Sequence, residues 1–232
     1  MAHAHPSWGR HDEVREDARV VTHAGQEAEE IRIVCVCTGN LCRSAQAAQL
    51  LRSRAPSSAG SALNISSAGT HAREGDRMPS VAAEWSRRLG GDPSEHRAQY
   101  LTARPLRGAD LVLGMAREHR RAAVTLEPSL TRVAFTLREL ARLAAPMSEE
   151  RLAREAETAG PGASARTRLN VLLAFLARAR GTAERRVEPA DDDVVDPMGR
   201  DDVTYELSAG QVDVAVNQVV RVLGVALRVL QP

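Results

Sequence analysis

The sequence predicts an α/β fold, a doubly wound four-stranded parallel sheet flanked by helices, with an extra helical insertion. Between residues 31 and 144, short apolar runs typical of buried strands alternate with stretches whose apolar residues recur at helical spacing. Such alternation favours parallel strands joined by helical crossovers. The alternation stops at residue 145, so residues 145–189 are predicted to be an insertion.

The predicted strands and helices alternate along the chain. Strands are expected over residues 31–36, 63–68, 109–114 and 131–135. Helices are expected over residues 44–55, 79–89, 117–126 and 137–144. Pro79 suits the first turn of the second helix, and Thr136 is a side chain suited to cap the fourth.

The insertion and the end of the chain add three predicted helices. Ser148 is expected to cap the first, which stops at Gly160-Pro161-Gly162. The second covers residues 167–180, and we expect its apolar face to pack against the rest of the protein. That face carries Leu169, Leu172, Leu173 and Leu176. The last is a long helix over residues 203–230.

The composition limits the classes of function. With 31 basic and 30 acidic residues, the net charge of +1 gives no electrostatic footprint for nucleic acid. No apolar run reaches the roughly 20 residues of a membrane helix, and no signal peptide is recognised. We therefore expect a cytoplasmic protein with neither nucleic-acid nor membrane partners. Residues 1–30 are predicted to be a disordered tail, and residues 31–232 a single domain.

The loop between the first predicted strand and helix reads Cys-Thr-Gly-Asn-Leu-Cys-Arg-Ser. The free N–H groups at a helix start, with the helix dipole behind them, form an anion site. Arg43 adds a planar fork of donors for two phosphate oxygens. Gly39 and Asn40 permit the backbone conformations of a tight loop. The residues expected to bind phosphate are Thr38, Gly39, Asn40, Leu41, Cys42 and Ser44.

Cys37 is expected to lie at the floor of this anion site. Helix-terminal amides and a neighbouring arginine favour the thiolate form of a cysteine. A thiolate beneath a bound phosphorus suits in-line displacement through a phosphocysteine intermediate. Ser44, the first hydroxyl after Arg43, is expected to donate a hydrogen bond to the sulfur when it departs.

The string V-C-x-G-N-x-C-R-S resembles the loop of the low-molecular-weight protein tyrosine phosphatases. The likeness includes SSAGTHA, ADLVLGMAREHR and RVAFTLRELARL, covers about residues 31–143 and resumes at Asp191. It implies a hydrolase that uses Cys37 and Arg43 without metal or organic cofactor and is inhibited by phosphate-like oxyanions. It also implies a general acid on a late Asp-Pro loop, which Asp196-Pro197 matches. This acid would protonate the leaving group and then activate water.

The resemblance also gives the second cysteine of the loop a role. It implies a reversible disulfide between Cys42 and Cys37, which protects the thiolate from over-oxidation. Cys35 lies two positions before Cys37 on the same strand face and is predicted to be core. The acidic run of Asp191, Asp192 and Asp193 is predicted to be solvated charge.

Several functions stay open because this sequence departs from the family pattern. Met198-Gly199 follows the Asp-Pro pair where family members often have aromatic residues, so a small phosphate ester is an alternative substrate to a phosphorylated protein. Leu41 stands where similar arginine phosphatases carry threonine, which argues against that specialisation. A thiol-dependent arsenate reductase would need an external thiol, because no cysteine follows Cys42. A non-catalytic phosphate-binding module is the fourth possibility.

Overall fold

The computed structural model describes residues 29–56, 61–181 and 188–228. Its four strands are β1 (Glu29–Cys37), β2 (Ser61–Gly69), β3 (Leu111–Gly114) and β4 (Ala134–Thr136). They form one parallel sheet in the order β2-β1-β3-β4, which confirms the predicted fold class. In its register, Cys37 pairs with Gly69 and Val36 with Gly114. The carboxyl ends of the strands therefore meet at one edge of the sheet.

Eight α-helices surround this sheet in the described residues. They are α1 (Arg43–Arg54), α2 (Ser80–Arg88), α3 (Ala103–Leu106), α4 (Arg117–Leu126), α5 (Leu137–Ala144), α6 (Glu149–Glu157), α7 (Ala165–Arg178) and α8 (Asp202–Leu227). No helix of the described chain combines the length and apolarity needed to cross a membrane.

Several element boundaries differ from the predictions by one to three residues. The fourth strand begins at Ala134 because a 3₁₀ turn occupies Pro128–Arg132. Pro79 is the N-cap of α2 and lies just before its first turn. Thr136 caps α5 as predicted, and its side chain and that of Glu139 form a capping box. Ser148 also caps α6 as predicted.

The sheet is covered by apolar side chains on both faces. Alternate residues of β1 point to opposite faces, so Ile33 and Cys35 join the larger core while Val34 and Val36 join a smaller one. Cys35 is fully buried, and burial raises the pKa of its thiol to about 12. Its prediction as a core residue is confirmed.

The predicted insertion contributes to the larger core. The four leucines of α7 are all fully buried and pack within the cluster that also contains residues of β1 and α8, which confirms that this face packs. The guanidinium of Arg166 contacts the backbone oxygen of Glu30, at the amino end of β1. The start of α7 therefore lies at the sheet edge opposite to Cys37.

Three predictions extend beyond the described residues. The predicted tail over residues 1–30 is described only from Glu29 onward, where β1 begins. Its extent, and the assignment of residues 31–232 to a single domain, stay predictions. The predicted helix over 203–230 ends earlier, at Leu227, because Arg228 is its C-cap and has an extended conformation.

Candidate active site

Cys37 is the last residue of β1, and its sulfur accepts two hydrogen bonds from the loop that follows. The hydroxyl of Ser44 donates to Sγ at 2.9 Å, and the backbone N–H of Asn40 donates to it at 3.2 Å. Cys37 is 2% exposed. The structure therefore directs two hydrogen-bond donors at one buried sulfur.

Asn40 holds the loop in shape. Its backbone has a φ of 54°, in the left-handed region, and its side chain is completely buried. Its Nδ2 donates to the hydroxyls of Ser44 and Ser67, both at 2.9 Å, and its Oδ1 accepts from the N–H of Gln99 at 2.9 Å. Because Ser44 Oγ accepts from Asn40, its own hydrogen is available to Cys37.

Glycine is needed at Gly69 more than at Gly39. A Cβ on Gly69 would lie 2.5 Å from the backbone oxygen of Thr38 and 2.7 Å from the backbone nitrogen of Asn40. A Cβ on Gly39 would make only an ordinary 3.6 Å contact with Leu41. The expectation that Asn40 tolerates the left-handed region is confirmed, and Gly39 is not among the residues with a positive φ.

Arg43 opens α1 and joins the loop to the Asp-Pro segment. Its side chain is 5% exposed. Its Nη1 donates to the backbone oxygen of Val194 at 3.2 Å, and its Nη2 donates to Thr38 Oγ1 at 3.4 Å. Nη2 also contacts the carboxylate of Asp196. The structure therefore brings Cys37, Arg43 and Asp196 to the same edge of the sheet.

Two aspartates before Asp196 anchor its loop through ion pairs. The carboxylate of Asp192 accepts two hydrogen bonds from Arg142, both at 2.9 Å. That of Asp193 accepts from the guanidinium of Arg117 at 3.0 Å and from its backbone N–H at 2.8 Å. The prediction that Asp192 and Asp193 are solvated charge is therefore wrong, because arginines of α4 and α5 lie opposite them.

An apolar cluster lies beside the loop. The cluster comprises Leu41, Cys42, Met78, Val81, Ala82, Trp85 and Tyr205. Tyr205 is in the first turn of α8, and burial raises the pKa of its phenol. Burial is also the largest effect that raises the pKa of the Cys42 thiol, to about 12. Cys37 and Cys42 are both free thiols in this structure, so the implied disulfide stays a prediction.

Sequence reasoning missed His119. Its side chain is 1% exposed, and its Nε2 lies 2.9 Å from Thr38 Oγ1. Burial lowers the pKa of His119 to about 4, with a further lowering by the charge of Arg43. The available signal was its place early in the helix after the third strand, whose carboxyl end reaches the same sheet edge.

Tyr205, Trp85 and His96 were missed as well. His96 Nε2 lies 2.7 Å from the backbone oxygen of Asn40, so its loop supports the cysteine loop. No local pattern marks these three residues, because they come from separate loops and helices. Among the residues that the structure describes, no group of three or more His, Cys, Asp or Glu side chains is arranged to hold a metal ion.

Comparison with known proteins gives consistent matches. The family model described as low molecular weight phosphotyrosine protein phosphatase matches residues 32–147. EpsP of Ralstonia solanacearum, a probable low molecular weight protein-tyrosine-phosphatase, is 39% identical over 108 residues, which cover 47% of this chain and 71% of EpsP.

Solved structures resemble most of this chain. A low molecular weight protein tyrosine phosphatase from T. tengcongensis aligns with a TM-score of 0.53 and 28% identity, covering 82% of this chain and 97% of that one. Wzb of Vibrio vulnificus, in complex with benzylphosphonate, aligns with a TM-score of 0.54 over 82% of this chain and 97% of its own, at 18% identity. The latter likeness is one of fold.

The fold and the family match define the class as a cysteine-dependent phosphatase. The chain belongs to the low molecular weight phosphotyrosine protein phosphatase family, a family of hydrolases.

Proposed function

We propose that this protein hydrolyses phosphotyrosine on proteins through a phosphocysteine intermediate formed on Cys37. The observation that carries the proposal is the environment of the Cys37 sulfur, which accepts from Ser44 at 2.9 Å and from Asn40 at 3.2 Å. A buried sulfur that only fills space needs neither donor. A nucleophile that must also depart as a thiolate needs both.

Arg43 and the loop amides bind the phosphate. The loop precedes α1, so its free N–H groups and the helix dipole favour an anion at this position. The guanidinium contributes parallel donors to two equatorial oxygens, where negative charge is spread in the transition state. Phosphate itself offers the same oxygens, and we expect inorganic phosphate and similar oxyanions to inhibit.

The first chemical step transfers the phosphoryl group to Cys37. The thiolate attacks phosphorus, an S–P bond forms and the P–O bond to the leaving group breaks. Asp196, in its protonated form, gives its proton to the departing oxygen. The carboxyl group is half exposed, at 51%, so it can exchange protons with solvent between turnovers.

The second step hydrolyses the phosphocysteine. The Asp196 carboxylate takes a proton from a water molecule, whose oxygen attacks phosphorus and breaks the S–P bond. Cys37 departs as a thiolate, and the hydrogen bonds from Ser44 and Asn40 stabilise it. Phosphate then leaves, and every proton and electron pair is accounted for without an external reductant.

The apolar cluster beside the loop supports an aromatic leaving group. Leu41, Trp85 and Tyr205 supply carbon to this cluster, which includes two residues of the loop, and Met198 is 45% exposed two positions after Asp196. A methionine forms favourable contacts with aromatic rings. The phosphatase name of EpsP and the benzylphosphonate bound to Wzb agree with aryl phosphate chemistry in related proteins.

A small phosphate ester is the second candidate substrate. It is favoured by the pair Met198-Gly199 after the Asp-Pro segment, which provides no ring to stack on a phenol. Gly199 has a φ of 71° and no neighbour within 4 Å of a Cβ, so this side of the site is open.

Steady-state kinetics of the purified, reduced protein test the proposal. The substrates are p-nitrophenyl phosphate, phosphotyrosine peptides, a phosphoarginine peptide and a sugar phosphate. We expect turnover of both aryl substrates, loss of all turnover in Cys37→Ser, and retention in the control Cys35→Ala. A kcat/KM higher for the sugar phosphate than for the peptides would favour a small phosphate ester as the substrate. Thiol-dependent reduction of arsenate without ester hydrolysis would contradict the phosphatase proposal.

A further inference from the structure

His119 touches the phosphate-binding loop although no step of the proposed reaction uses it. Its imidazole Nε2 and the hydroxyl oxygen of Thr38 are 2.9 Å apart and share a hydrogen bond. Thr38 directly follows Cys37, and its hydroxyl oxygen also accepts from Arg43 Nη2 at 3.4 Å. The single hydroxyl of Thr38 therefore connects the histidine to the arginine.

The position is unfavourable for a residue that serves stability alone. His119 is 1% exposed, and its Nδ1 is buried without a hydrogen-bond partner among the described residues. An apolar side chain in α4 would avoid that unpaired nitrogen. Rules of packing are broken most often at functional sites, where the local cost is tolerated for the sake of activity.

Burial keeps His119 neutral, although the carboxylates of Asp196 and Asp193 raise its pKa. Burial and the nearby Arg43 both lower its pKa, to about 4. A neutral imidazole adds a hydrogen bond to Thr38 without adding a second cation beside Arg43. Arg43 is thus the permanent cation at this point of the loop, and an oxyanion meets a donor set with fixed orientation.

We propose that His119 is a positioning residue for oxyanion binding, which fixes the Thr38 hydroxyl and through it the guanidinium of Arg43. This inference rests on the proposed function, because the oxyanion to be bound is the phosphate group of a substrate. Phosphate binding without turnover is sufficient to test it. Arg43 does the binding, and His119 restricts where the Nη2 group of Arg43 can lie. Preorganised donors bind an anion more tightly than donors that must first be ordered.

A double-mutant cycle with inorganic phosphate as the probe tests this role. Binding of phosphate is measured by calorimetry on the full-length wild-type protein and on His119→Leu, Thr38→Val and the double variant. We expect each single variant to weaken phosphate binding by about five- to tenfold, the value of one hydrogen bond. Because both variants break the same connection, the double variant should bind no more weakly than Thr38→Val alone.

Thermal unfolding separates positioning from a structural role. His119→Leu removes an unpaired buried nitrogen, so its Tm should equal or exceed that of the wild type while phosphate binding falls. His119→Gln can still hydrogen-bond Thr38 and should recover part of the affinity. A parallel loss of Tm and affinity in His119→Leu, with additive losses in the cycle, would assign a structural role and overturn the inference.

The readouts also separate this inference from the proposed function. Binding needs no turnover, so a wild type that binds phosphate without hydrolysing any ester would contradict the function and leave the cycle interpretable. Unchanged phosphate binding in His119→Leu, in an active wild-type background, would overturn the positioning role alone. If His119→Leu does not fold, Thr38→Val removes the same hydrogen bond from the other side. Phosphate binding by Thr38→Val as tight as the wild type would then overturn the inference.

Discussion

The carboxylate of Asp196 contacts the guanidinium of Arg43, although 153 positions separate the two residues in the chain. In the proposed mechanism these groups have different partners, the arginine holding the phosphate and the carboxyl group facing the leaving oxygen. An incoming oxyanion must therefore displace Asp196 from Arg43. Under that mechanism, the contact keeps Asp196 at the site before substrate arrives and makes its carboxylate compete with the anion for Arg43.

The Asp196→Asn variant should separate these two effects. We expect kcat for phosphotyrosine peptides to fall roughly 10²–10⁴-fold, because the leaving oxygen loses its proton donor. The loss should be smaller with p-nitrophenyl phosphate, whose leaving group departs readily without a proton.

Inorganic phosphate should inhibit Asp196→Asn more strongly than the wild type, because a neutral amide competes less for Arg43. Competitive inhibition constants measured beside kcat check this. Equal losses of kcat on both substrates, with unchanged phosphate inhibition, would count against Asp196 as the acid.

The Ser44→Ala variant should slow breakdown of the phosphocysteine. It removes the donor 2.9 Å from Cys37 Sγ, and losing one such donor typically costs roughly 100-fold or more in kcat. The measurement is a stopped-flow burst of p-nitrophenol followed by a slow steady state. Ser53→Ala is the matched control, since Ser53 lies on the same helix and its hydroxyl donates to the backbone oxygen of Leu50, away from Cys37. A normal steady state in Ser44→Ala would show that the thiolate needs no such donor.

The Arg142→Ala variant should misplace the acid without removing it. Arg142 holds Asp192, whose side chain is 16% exposed, through two hydrogen bonds of 2.9 Å. Displacing the acid by about an ångström can cost on the order of 100-fold in rate, so we expect kcat for peptides to fall markedly. Arg87→Ala is the control, because its pair with Glu84 is exposed on α2. An unchanged kcat in Arg142→Ala would mean that Asp193 and the backbone contacts hold the loop unaided.

The leucine face of α7 should be required for stability. Leu172 is fully buried in the larger core, and Leu172→Ala should lower the free energy of unfolding by about 2–5 kcal/mol. Urea denaturation measures the difference. Leu126→Ala on α4, where the side chain is 44% exposed, should change it far less. Equal effects of the two substitutions would mean that the insertion contributes little to the fold.

Acid should destabilise the protein through His119. The pKa of this residue is about 4 in the folded protein and 6.5 in the reference state, since burial and Arg43 disfavour its charged form. The unfolded chain therefore binds a proton more readily below pH 6.5. Stability should be fully present above that pH and fall as the pH drops towards 4, by on the order of 3 kcal/mol. In His119→Gln, the free energy of unfolding should depend less on pH between pH 6.5 and 4 than it does in the wild type. The same pH dependence in both proteins would refute the assignment of this effect to His119.

The fold class and the loop were predictable because both depend on local pattern. Buried parallel strands appear in the sequence as continuous apolar runs. Cys37, Asn40, Arg43 and Ser44 lie within eight consecutive residues between a strand and a helix, so a local motif contains all four. The capping box at Thr136 was likewise local. The prediction of Asp196 as a site residue depended on the resemblance to a family, because an Asp-Pro pair in an acidic run does not by itself indicate a general acid.

The remaining parts of the site depend on tertiary placement. Asp192 and Asp193 looked like solvated charge, yet Arg142 and Arg117 reach them across 50 and 76 positions. His119 lies 81 positions from Thr38 and shares a sheet edge with it only because β1 and β3 are neighbours. The periodicity of apolar residues along the sequence predicts which residues are buried. It does not predict which side chain from a distant part of the chain lies opposite them.

The phosphocysteine intermediate can be trapped by locating the phosphoryl group on the enzyme during turnover. Ser44→Ala is mixed with excess p-nitrophenyl phosphate, quenched in acid within the burst, digested and analysed by mass spectrometry. We expect one phosphoryl group on the peptide that contains Cys37, and none on that peptide when Cys37 is replaced by alanine and the same quench is applied. Phosphorylation of a peptide from another part of the chain, or sustained turnover by Cys37→Ser, would contradict a mechanism based on this thiolate.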